Sequence, residues 1–435
     1  MNIAIVGTGF VGLTAAAVYA HFGNQVVGLA RDQKKIDLLN QGTVSFYEPK
    51  LSELVKEVLD SKHLSFTTDY AAAIPSAEVV MICVGTPSSD EGDVDLSAVE
   101  ASLRSLAPYL QPNTIIAIKS TVPPKTLDLA ETVLTAAKVK NFHLASLPEF
   151  LKEGTAVDDT LYPDRVVIGS NDQFTADKLD LLHQPLNAPI IHTDPNTAQL
   201  GKYAANNYLA SRIVFVNEIA NVAEAVGANI TDLLKIIGQD KRIGDHYWYP
   251  GLGYGGSCFP KDVKGLSKIA AKNDLPDNLF CQLDQINSRR PVEILSHIAQ
   301  QIGGFKNKKI AVLGLSFKPA TDDQRVSPAL VTLPYLLEQG ANLVAYDPMV
   351  KKIASQKIAD HDNYIQVKTI DEALDGADIV LALVEWPQII GYDFASKIGT
   401  DNSSLKPNTV FIDIRNQFSP KKLTGAGYRY FGIGR

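Results

Sequence analysis

Gly7-Thr8-Gly9-Phe10-Val11-Gly12 is the segment of the chain that is most informative about its fold. It follows the short apolar run Asn2 to Val6 and opens an alanine-rich segment, Phe10 to Phe22, that has the composition of a helix. A GxGxxG turn between a strand and a helix is typical of dinucleotide-binding βαβ units. The first glycine makes the tight turn, the second admits a pyrophosphate, and the third lets the helix pack on the sheet. We therefore predict a nicotinamide dinucleotide site formed by five residues of this turn: Gly7, Gly9, Phe10, Val11 and Gly12.

Strand and helix patterns alternate outward from this turn. Further strands are predicted at Gln25 to Leu29, Glu78 to Val84, Thr114 to Lys119, Arg165 to Gly169 and Pro189 to His192. Helical patterns separate them, notably Leu96 to Leu110. Strands that alternate with helices indicate a parallel, doubly wound sheet.

The pattern changes at Pro195. Residues 196–226 contain no proline and one glycine, and their apolar residues recur at helical spacing, which predicts one long helix. The αβ alternation then restarts, with strands predicted at Ile310 to Gly314, Asn342 to Tyr346, Asp378 to Val384 and Thr409 to Ile414. We predict an α/β fold with two Rossmann-like parallel-sheet domains joined by a long central helix and a helical middle domain. The predicted boundaries are 1–195, 196–303 and 304–435.

Composition excludes several classes of protein. The chain has 435 residues, 45% hydrophobic and 20% charged, which is typical of a soluble globular protein with two or three domains. A net charge of −7 argues against a general nucleic-acid surface, and no apolar run reaches transmembrane length. Three cysteines without framework spacing favour a reducing, cytoplasmic setting. We expect no nucleic-acid partner, no membrane association and no metal site.

A second informative stretch is Gly255-Gly256-Ser257-Cys258-Phe259-Pro260-Lys261-Asp262. It places one thiol in a turn of small residues, with a cation and a carboxylate three and four positions later. The thiolate is the nucleophilic form, and cationic or dipolar surroundings favour it. Glycines before the thiol allow the backbone to approach a substrate closely. We predict that Cys258 is a reactive cysteine, whereas Cys83 and Cys281 suit the commoner role of small buried hydrophobes.

The residues after the second strand bear on the choice of cofactor. An acidic residue usually ends this strand and binds the adenosine ribose, but here the position is Ala30, followed by Arg31. An arginine there can accommodate a 2′-phosphate, to which Lys35 could add a second cation. Asp32 could still reach the ribose from a shifted register, and Arg31 could be an ordinary surface residue. NAD and NADP therefore both remain open.

Taken together, these features resemble the UDP-glucose/GDP-mannose dehydrogenase family over nearly the whole chain. The resemblance rests on eight blocks in order: GTGFVGL at 7–13, YEPKL at 47–51, CVGTP at 83–87, KSTVPP at 119–124, PEFLKEGTA at 148–156, KYAANNYLA at 202–210, GYGGSCFPKD at 253–262 and GLSFKPATDDQR at 314–325. It implies that residues 304–435 bind a UDP-sugar and that the sugar lies in the cleft between the domains.

The resemblance also implies catalytic roles. Cys258 corresponds to the nucleophile. Lys202 and Asn206, four residues apart on one helix face, correspond to the pair that holds the sugar and the oxyanion formed during oxidation. Thr121 and Glu149 correspond to the pair that orders the hydrolytic water. Asp262 corresponds to a carboxylate that positions water or takes up protons near the thiol.

Binding roles follow in the same way. Cofactor contacts are implied, beyond the glycine turn, at Thr86, Thr121, Lys264 and Arg325. Substrate contacts are implied at Glu149, Phe150, Leu151, Lys152, Lys202, Asn206, Arg242, Tyr249, Gly255 and Lys318. Arg242 resembles an arginine that reaches into the neighbouring subunit's site, and the apolar faces of the long helix suggest a homodimer.

Several of these residues have simpler interpretations. Lys202 could be a solvated charge, although the alanine-rich surroundings indicate packing, where an unpaired lysine would be costly. Arg325 could pair with Asp322 or Asp323, and Thr121 could cap the next turn. The chain departs from the family pattern at three positions: Leu147, where many relatives have asparagine, Val326, where an acidic residue is frequent, and Ala30.

The implied reaction is the NAD(P)-dependent four-electron oxidation of UDP-glucose at C6 to UDP-glucuronate through a cysteine thiohemiacetal and thioester. Relatives acting on GDP-mannose tend to have leucine at the position of Phe259, and those acting on N-acetylmannosamine tend to have histidine before the cysteine. The sequence Ser257-Cys258-Phe259 therefore favours UDP-glucose. Three alternatives stay open: another sugar nucleotide such as GDP-mannose or a UDP-N-acetylhexosamine, a two-electron dehydrogenase, and a non-catalytic dinucleotide-binding protein.

Overall fold

A computed structural model describes residues 1–89, 91–399 and 405–435 of the chain. These residues form two compact units, Met1–Ala205 with Lys264–Pro276 and Asn206–Val263 with Asp277–Arg435. The two units divide residues 196–303 between them, so the three predicted domain ranges stay a prediction.

The first unit is built on an eight-stranded sheet. Its strands are β1 (Asn2–Val6), β2 (Gln25–Leu29), β3 (Leu64–Thr67), β4 (Val79–Ile82), β5 (Ile115–Ile118), β6 (His143–Ser146), β7 (Val166–Gly169) and β8 (Ile190–Thr193). Their order is β3-β2-β1-β4-β5-β6-β7-β8. Every pair is parallel except β6 with β7, which meet antiparallel at Ser146 and Gly169. The predicted parallel sheet is therefore confirmed, with one reversed junction.

Helices cover both faces of this sheet. They are α1 (Phe10–His21), α2 (Gln33–Asn40), α3 (Leu51–Asp60), α4 (Tyr70–Ala73), α5 (Ser97–Leu106), α6 (Thr126–Ala136), α7 (Ala156–Leu161) and α8 (Gln173–His183), with 3₁₀ turns at Ala107–Tyr109 and Gln184–Leu186. Along β1, Ile3 and Ile5 pack into one apolar cluster, whereas Ala4 and Val6 pack into another. A strand that is apolar on both faces is typical of a doubly wound sheet.

The middle of the chain is helical. It consists of α9 (Pro195–Ala225), α10 (Ile230–Gly238), α11 (Phe259–Ala271) and α12 (Leu279–Ile302). The long helix was predicted to within one residue at each end. Both α9 and α11 contribute residues to the two compact units. In the described part of the chain, no helix combines the length and apolar character needed to cross a membrane.

The second unit contains a six-stranded parallel sheet. Its strands are β9 (Lys309–Leu313), β10 (Asn342–Tyr346), β11 (Tyr364–Gln366), β12 (Ile379–Ala382), β13 (Val410–Asp413) and β14 (Arg429–Phe431), in the order β11-β10-β9-β12-β13-β14. Its remaining helices are α13 (Pro328–Glu338), α14 (Gln356–Ala359), α15 (Ile370–Leu374), α16 (Pro387–Ile390) and α17 (Pro420–Ala426), with a 3₁₀ turn at Phe394–Lys397. The predicted second Rossmann-like domain is confirmed.

Candidate active site

The glycine turn has the geometry that a pyrophosphate requires. Gly7 has φ +102°, and a Cβ there would lie 2.6 Å from the Cys83 carbonyl oxygen. A Cβ on Gly12 would lie 1.9 Å from the Gly7 carbonyl oxygen, so a side chain at either glycine would break the turn. A Cβ on Gly9 would meet nothing within 4 Å, which leaves open space directly before α1. The turn therefore fits a nicotinamide dinucleotide, with the helix N-terminus facing its phosphates.

Two predicted cofactor residues meet at the carboxyl ends of β4 and β5. The Thr86 hydroxyl donates a hydrogen bond of 2.7 Å to the Thr121 carbonyl oxygen. Because β4 lies beside β1 in the sheet, this pair is at the same edge as the glycine turn. Lys264 lies against another loop of the first unit, where a Cβ on Gly92 would be 2.9 Å from the Lys264 carbonyl oxygen.

Glu149 and Lys202 form a buried ion pair in the first unit. Their side chains are 8% and 4% exposed, and Lys202 Nζ lies 3.0 Å from Glu149 Oε1. Burial alone would raise the pKa of Glu149, but Lys202, with help from Lys119 and the Leu151 amide, holds the pKa below its ordinary value. The pair therefore supplies a carboxylate and an ammonium in a dry environment. Lys202 is packed and paired, as the alanine-rich surroundings indicate.

Phe150 is the next residue of this constellation. The Lys202 ammonium lies 5.5 Å from the centre of the Phe150 ring, and the Arg165 guanidinium lies 3.7 Å from it. Both distances are short enough for cation–π attraction between the Phe150 ring and the two cations. The ring therefore fixes the position of the buried ammonium beside Glu149.

A residue without a predicted role holds the loop after Glu149. The buried Glu48 carboxylate accepts hydrogen bonds of 2.7 Å from the Gly154 amide and 2.8 Å from the Ala156 amide. These amides lie at the beginning of α7, where carboxylates are favourable N-terminal partners. Farther back in the loop, Lys152 is ion-paired with Asp159 at 3.2 Å, and its amide donates to the same carboxylate. The block at 47–51 thus buttresses the block at 148–156.

A cavity of about 160 Å³ lies behind this loop. Glu149 and the buried Lys119 line it, together with Leu147. Burial lowers the pKa of Lys119. The far wall includes Tyr19 and His183, whose hydroxyl and Nε2 are 2.9 Å apart.

His183 gives the protein a pH-dependent element of stability. Its Nδ1 is 2.7 Å from the Leu179 carbonyl, which can only accept, so Nε2 of the neutral ring accepts from Tyr19. Burial lowers the pKa of His183 to about 4. Since the unfolded chain takes up this proton first, stability is full above pH ~6.5 and decreases by roughly 3 kcal/mol as pH falls through the folded pKa.

We expect the His183→Gln variant to lose the part of the pH dependence of the unfolding free energy that comes from His183. The measurement is the free energy of unfolding in urea at pH 7 and at pH 4.5. The exposed His246 provides the control, since His246→Gln should keep the wild-type difference between the two pH values. Equal pH dependence in wild type and His183→Gln would contradict a buried neutral ring.

Cys258 occupies the N-terminal end of α11 in the second unit. Its carbonyl oxygen accepts the Asp262 amide at 2.9 Å, the first hydrogen bond of the helix. The side chain is partly exposed, and its sulfur lies 3.5 Å from the Ser257 hydroxyl. A helix N-terminus favours an anion at this position, and Pro260 in the first turn leaves the helix pattern intact. The predicted nucleophile therefore lies where a thiolate is favoured.

Asp262 links this helix to α9. It is 1% exposed and bonds Lys261 Nζ at 2.5 Å and Asn206 Nδ2 at 2.6 Å. The Asn207 amide also donates to the Asp262 carbonyl oxygen at 3.1 Å. Asn206 comes one helical turn after Lys202 on the same uninterrupted helix. Two predicted catalytic side chains, Asn206 and Asp262, are thus ordered by a contact that the sequence spacing did not reveal.

The backbone before Cys258 is held by a polar clamp from α12. Asn287 accepts from the Tyr254 amide at 2.7 Å and donates to its carbonyl at 3.1 Å. One turn later, the buried Arg290 donates to the Gly251 carbonyl at 2.5 Å. Asn217 of α9 accepts from the Gly251 amide at 2.9 Å. Nothing in the local sequence distinguished these residues from ordinary helix positions.

We expect the Asn287→Ala variant to slow catalysis by misplacing the thiol. Loss of both bonds to Tyr254 should lower kcat about 10- to 100-fold while the affinity for the dinucleotide stays unchanged. The rate of Cys258 alkylation by iodoacetamide should change in parallel. Gln282→Ala, at an exposed position of the same helix, is the matched control. Wild-type kcat and alkylation in Asn287→Ala would refute the clamp.

The cysteine turn packs against the block at 314–325. A Cβ on Gly255 would be 2.2 Å from the Val326 carbonyl oxygen, and one on Gly256, which has φ +80°, would be 2.8 Å from the Phe317 ring. Val326 itself has φ +48°, a strained conformation for a β-branched residue. These glycines are therefore required by close packing. Lys318, a predicted substrate contact, lies 5.3 Å from the centre of the Phe317 ring.

Three more predicted residues lie in the second unit. Arg325 forms a two-pronged pair with Asp323, at 2.9 and 2.8 Å, which is the clamp anticipated for it. Arg242 pairs in the same manner with Asp240 and is 89% exposed. Tyr249 is exposed, with its ring 5.8 Å from that of Tyr247. These contacts leave their predicted ligand roles untested.

The other two cysteines differ from Cys258. Burial raises the pKa of Cys83 to about 12, so its thiol is protonated and structural. The prediction that Cys281 is a buried hydrophobe is wrong, because its side chain is partly exposed in the first turn of α12. Among the residues that the structure describes, no three His, Cys, Asp or Glu side chains cluster in a way that could hold a metal ion.

The fold and these groups define a dinucleotide-binding dehydrogenase with a second Rossmann-like domain. Family models match three successive parts of the chain: the UDP-glucose/GDP-mannose dehydrogenase NAD binding domain at residues 1–187, the central domain at 196–289 and the UDP binding domain at 311–420. The chain belongs to the UDP-glucose/GDP-mannose dehydrogenase family. The resemblance noted from the sequence is confirmed, and the chain is a nicotinamide-dependent nucleotide-sugar dehydrogenase.

Relatives and solved structures agree over the full length. UDP-glucose 6-dehydrogenase TuaD of Bacillus subtilis is 39% identical, with 100% of this chain and 93% of the relative covered. UDP-glucose 6-dehydrogenase of Rickettsia bellii is 38% identical, with 100% and 99% covered. The structure of a UDP-glucose dehydrogenase from Pyrobaculum islandicum superposes with a TM-score of 0.89 at 32% identity, covering 99% of this chain and 97% of that one. A UDP-N-acetylmannosamine dehydrogenase from Pyrococcus horikoshii gives 0.86 at 28%, covering 100% and 99%.

Proposed function

We propose that this enzyme oxidises C6 of UDP-glucose to the carboxylate, giving UDP-glucuronate, through a covalent intermediate on Cys258. The observation that carries the proposal is the placement of a partly exposed thiol at the N-terminus of α11, in a chain that also buries the Glu149–Lys202 pair. A simple alcohol dehydrogenase needs no nucleophile. A reactive thiol lets a bound aldehyde be captured and oxidised again.

The glycine turn from Gly7 to Gly12 would hold a nicotinamide dinucleotide, which would supply the oxidant for two successive two-electron oxidations of the substrate carbon. After the first, the Cys258 sulfur adds to the aldehyde carbon, forming the C–S bond of a thiohemiacetal. Loss of the second hydride leaves a thioester, and water adds to its carbonyl and breaks the C–S bond. The alcohol and water together lose two hydrides and three protons, leaving the carboxylate and the thiolate.

The charged groups have distinct tasks in this proposal. The Lys202 ammonium stabilises the oxyanion on the former C6 hydroxyl, and Asn206 adds a hydrogen bond. The Glu149 carboxylate, with Thr121, orders the water that attacks the thioester and takes one of its protons. Asp262 accepts from Asn206 and keeps its amide in one orientation. The side chains of Lys202, Glu149, Asn206 and Asp262 are buried and already bonded, so little reorganisation of these four groups is needed.

UDP-glucose is favoured among sugar nucleotides by the residues around the thiol and by relatives at 35–39% identity that are named UDP-glucose 6-dehydrogenases. The second candidate is another sugar nucleotide, because solved neighbours include UDP-N-acetylmannosamine and GDP-mannose dehydrogenases. We further propose that residues 1–195 form the domain that binds the dinucleotide, that residues 196–303 form the helical domain, and that residues 304–435 form the domain that binds the UDP. A cytoplasmic location stays a prediction.

We also propose that two copies of the chain associate through the middle segment. Tyr208, Phe215 and Val222 project exposed apolar side chains from α9. Beside them lies a groove of about 470 Å³ whose lining includes Trp248 and Arg242. Exposed apolar patches of this kind typically mark interfaces. Arg242 would then be available to a site in the partner, the role that the family resemblance suggests.

The test of the proposed function is the number of cofactor molecules reduced per sugar consumed. The purified chain is incubated with UDP-glucose, GDP-mannose, UDP-N-acetylglucosamine or UDP-N-acetylmannosamine, and with NAD or NADP. Two reduced cofactors per UDP-glucose, with UDP-glucuronate as product, support the proposal. One per sugar would indicate a simple alcohol dehydrogenase. Faster turnover of another sugar nucleotide would identify that nucleotide as the substrate instead of UDP-glucose. Absence of turnover with all four would indicate a non-catalytic dinucleotide-binding protein.

A further inference from the structure

The adenosine end of the dinucleotide site lacks the carboxylate that usually binds ribose. Register pairs Val6 with Leu29, and the Gly7 amide donates to the Leu29 carbonyl at 2.8 Å. Ala30 therefore lies directly beside the pyrophosphate turn, where the ribose of a bound nucleotide must pass. A methyl group there offers no acceptor for the ribose hydroxyls. The usual discrimination in favour of NAD is absent from this chain.

Asp32 does not replace the missing carboxylate. It is the N-cap of α2, and its Oδ1 accepts the Lys34 amide at 2.9 Å and the Lys35 amide at 3.4 Å. An N-cap side chain is held against its own helix by these bonds, and removing it destabilises the helix. The alternative in which Asp32 reaches the ribose would require breaking this cap.

Two cations flank the same position. Arg31 is exposed and Lys35 is half-buried, one helical turn later along the chain. The side chain of neither residue makes a hydrogen bond or an ion pair with a described residue. Asp32 acts electrostatically on Lys35, and its Oδ1 accepts both cap bonds of α2.

We propose that Arg31 and Lys35 form a 2′-phosphate site and that the chain prefers NADP to NAD. A guanidinium pairs with phosphate oxygens through two parallel hydrogen bonds, and a nearby ammonium adds a point charge. The absence of an acidic residue at position 30 removes the repulsion that would otherwise reject the phosphate. The inference deepens the proposed function by naming the cofactor, and it depends on the dinucleotide fold rather than on the sugar.

The test is equilibrium binding by titration calorimetry, independent of turnover. The probes are 2′,5′-ADP and 5′-ADP, followed by NADP and NAD. We expect the phosphorylated member of each pair to bind at least about tenfold more tightly to the wild-type protein. Arg31→Ala should reduce NADP affinity about 10- to 100-fold and NAD affinity less than about threefold. Lys34→Ala, which removes an exposed cation from the same helix, is the control and should change neither affinity more than about threefold.

Restoring the carboxylate gives a second, independent variant. Ala30→Asp should invert the preference by binding NAD through both ribose hydroxyls and repelling the 2′-phosphate. Equal affinity of the wild-type chain for the two nucleotides, or equal effects of Arg31→Ala on both, would overturn the proposal. A chain that binds 2′,5′-ADP selectively but does not oxidise UDP-glucose would overturn only the proposed function.

Discussion

The Cys258→Ser variant is expected to oxidise the alcohol once and to form essentially no UDP-glucuronate. The hydroxyl at this position is a far weaker nucleophile at neutral pH than the thiol it replaces, so the aldehyde is not captured. Acid formation should fall by at least about 10³-fold, the scale of loss on removing a nucleophile. The first hydride transfer needs no sulfur, so a single-turnover experiment should still give one reduced cofactor per active site, against two in the wild type.

The measurement combines rapid-quench product analysis with a carbonyl trap. Added hydroxylamine should capture a UDP-linked aldehyde from the variant and very little from the wild type. Cys281→Ser is the matched control, because Cys281 is also partly exposed but lies within the α12 helix. It should retain wild-type acid formation. A Cys258→Ser protein that makes acid at the wild-type rate would show that the thiol is not a participant.

The Lys202→Met variant should lose activity and stability together. Removing the ammonium leaves Glu149 buried without its partner, 8% exposed, which should destabilise the fold by about 3–5 kcal/mol. It also removes the group proposed to stabilise the oxyanion, and kcat should fall about 10²- to 10³-fold. Because Lys202 holds the pKa of Glu149 below its ordinary value, its loss should raise that pKa and move the acid limb of the remaining activity to higher pH.

A double variant separates the two effects. Lys202→Met combined with Glu149→Gln places a neutral amide in the cavity, so the stability should be partly recovered while the activity stays lost. Lys178→Met breaks a surface pair with Glu78 and should change the unfolding free energy by less than about 1 kcal/mol. Recovery of activity in the double variant would show that Lys202 serves only the fold.

The sequence predicted best those elements whose structure is determined by neighbouring residues. The glycine turn and the strand before it were predicted as the structure has them, because tight turns and close helix packing demand glycine at fixed positions. The long helix Pro195–Ala225 was bounded by its proline and by sustained helical spacing. Four strands were not predicted, and they are short ones: Leu64–Thr67, His143–Ser146, Tyr364–Gln366 and Arg429–Phe431. Each of these strands mixes polar and apolar residues over three or four positions, whereas predicted strands of the same length such as Val79–Ile82 and Ile115–Ile118 are unbroken apolar runs.

The site was predictable in its residues but not in its pairings. Glu149 and Lys202 are 53 positions apart, and Asn206 and Asp262 are 56 apart, so no periodic pattern connects them. The supporting roles of Glu48 and Asn287 were not predicted, although Glu48 lies in the quoted block at 47–51, because both residues acquire these roles only from tertiary contacts. Buried polar groups must find partners, but the sequence does not say which.

The proposed covalent route requires a bond between the Cys258 sulfur and the sugar carbon, and trapping that bond is the decisive experiment. The Glu149→Gln variant should slow hydrolysis, so acid quenching during turnover with UDP-glucose should leave a thioester on the enzyme. After trypsin digestion, the peptide from Ile243 to Lys261 contains Cys258 as its one cysteine. Mass spectrometry is expected to find the uronyl adduct on this peptide and to find none when the sugar is omitted. An enzyme that turns over UDP-glucose without forming any adduct on Cys258 would contradict the covalent route. An adduct on Cys83 or Cys281 instead would contradict it as well.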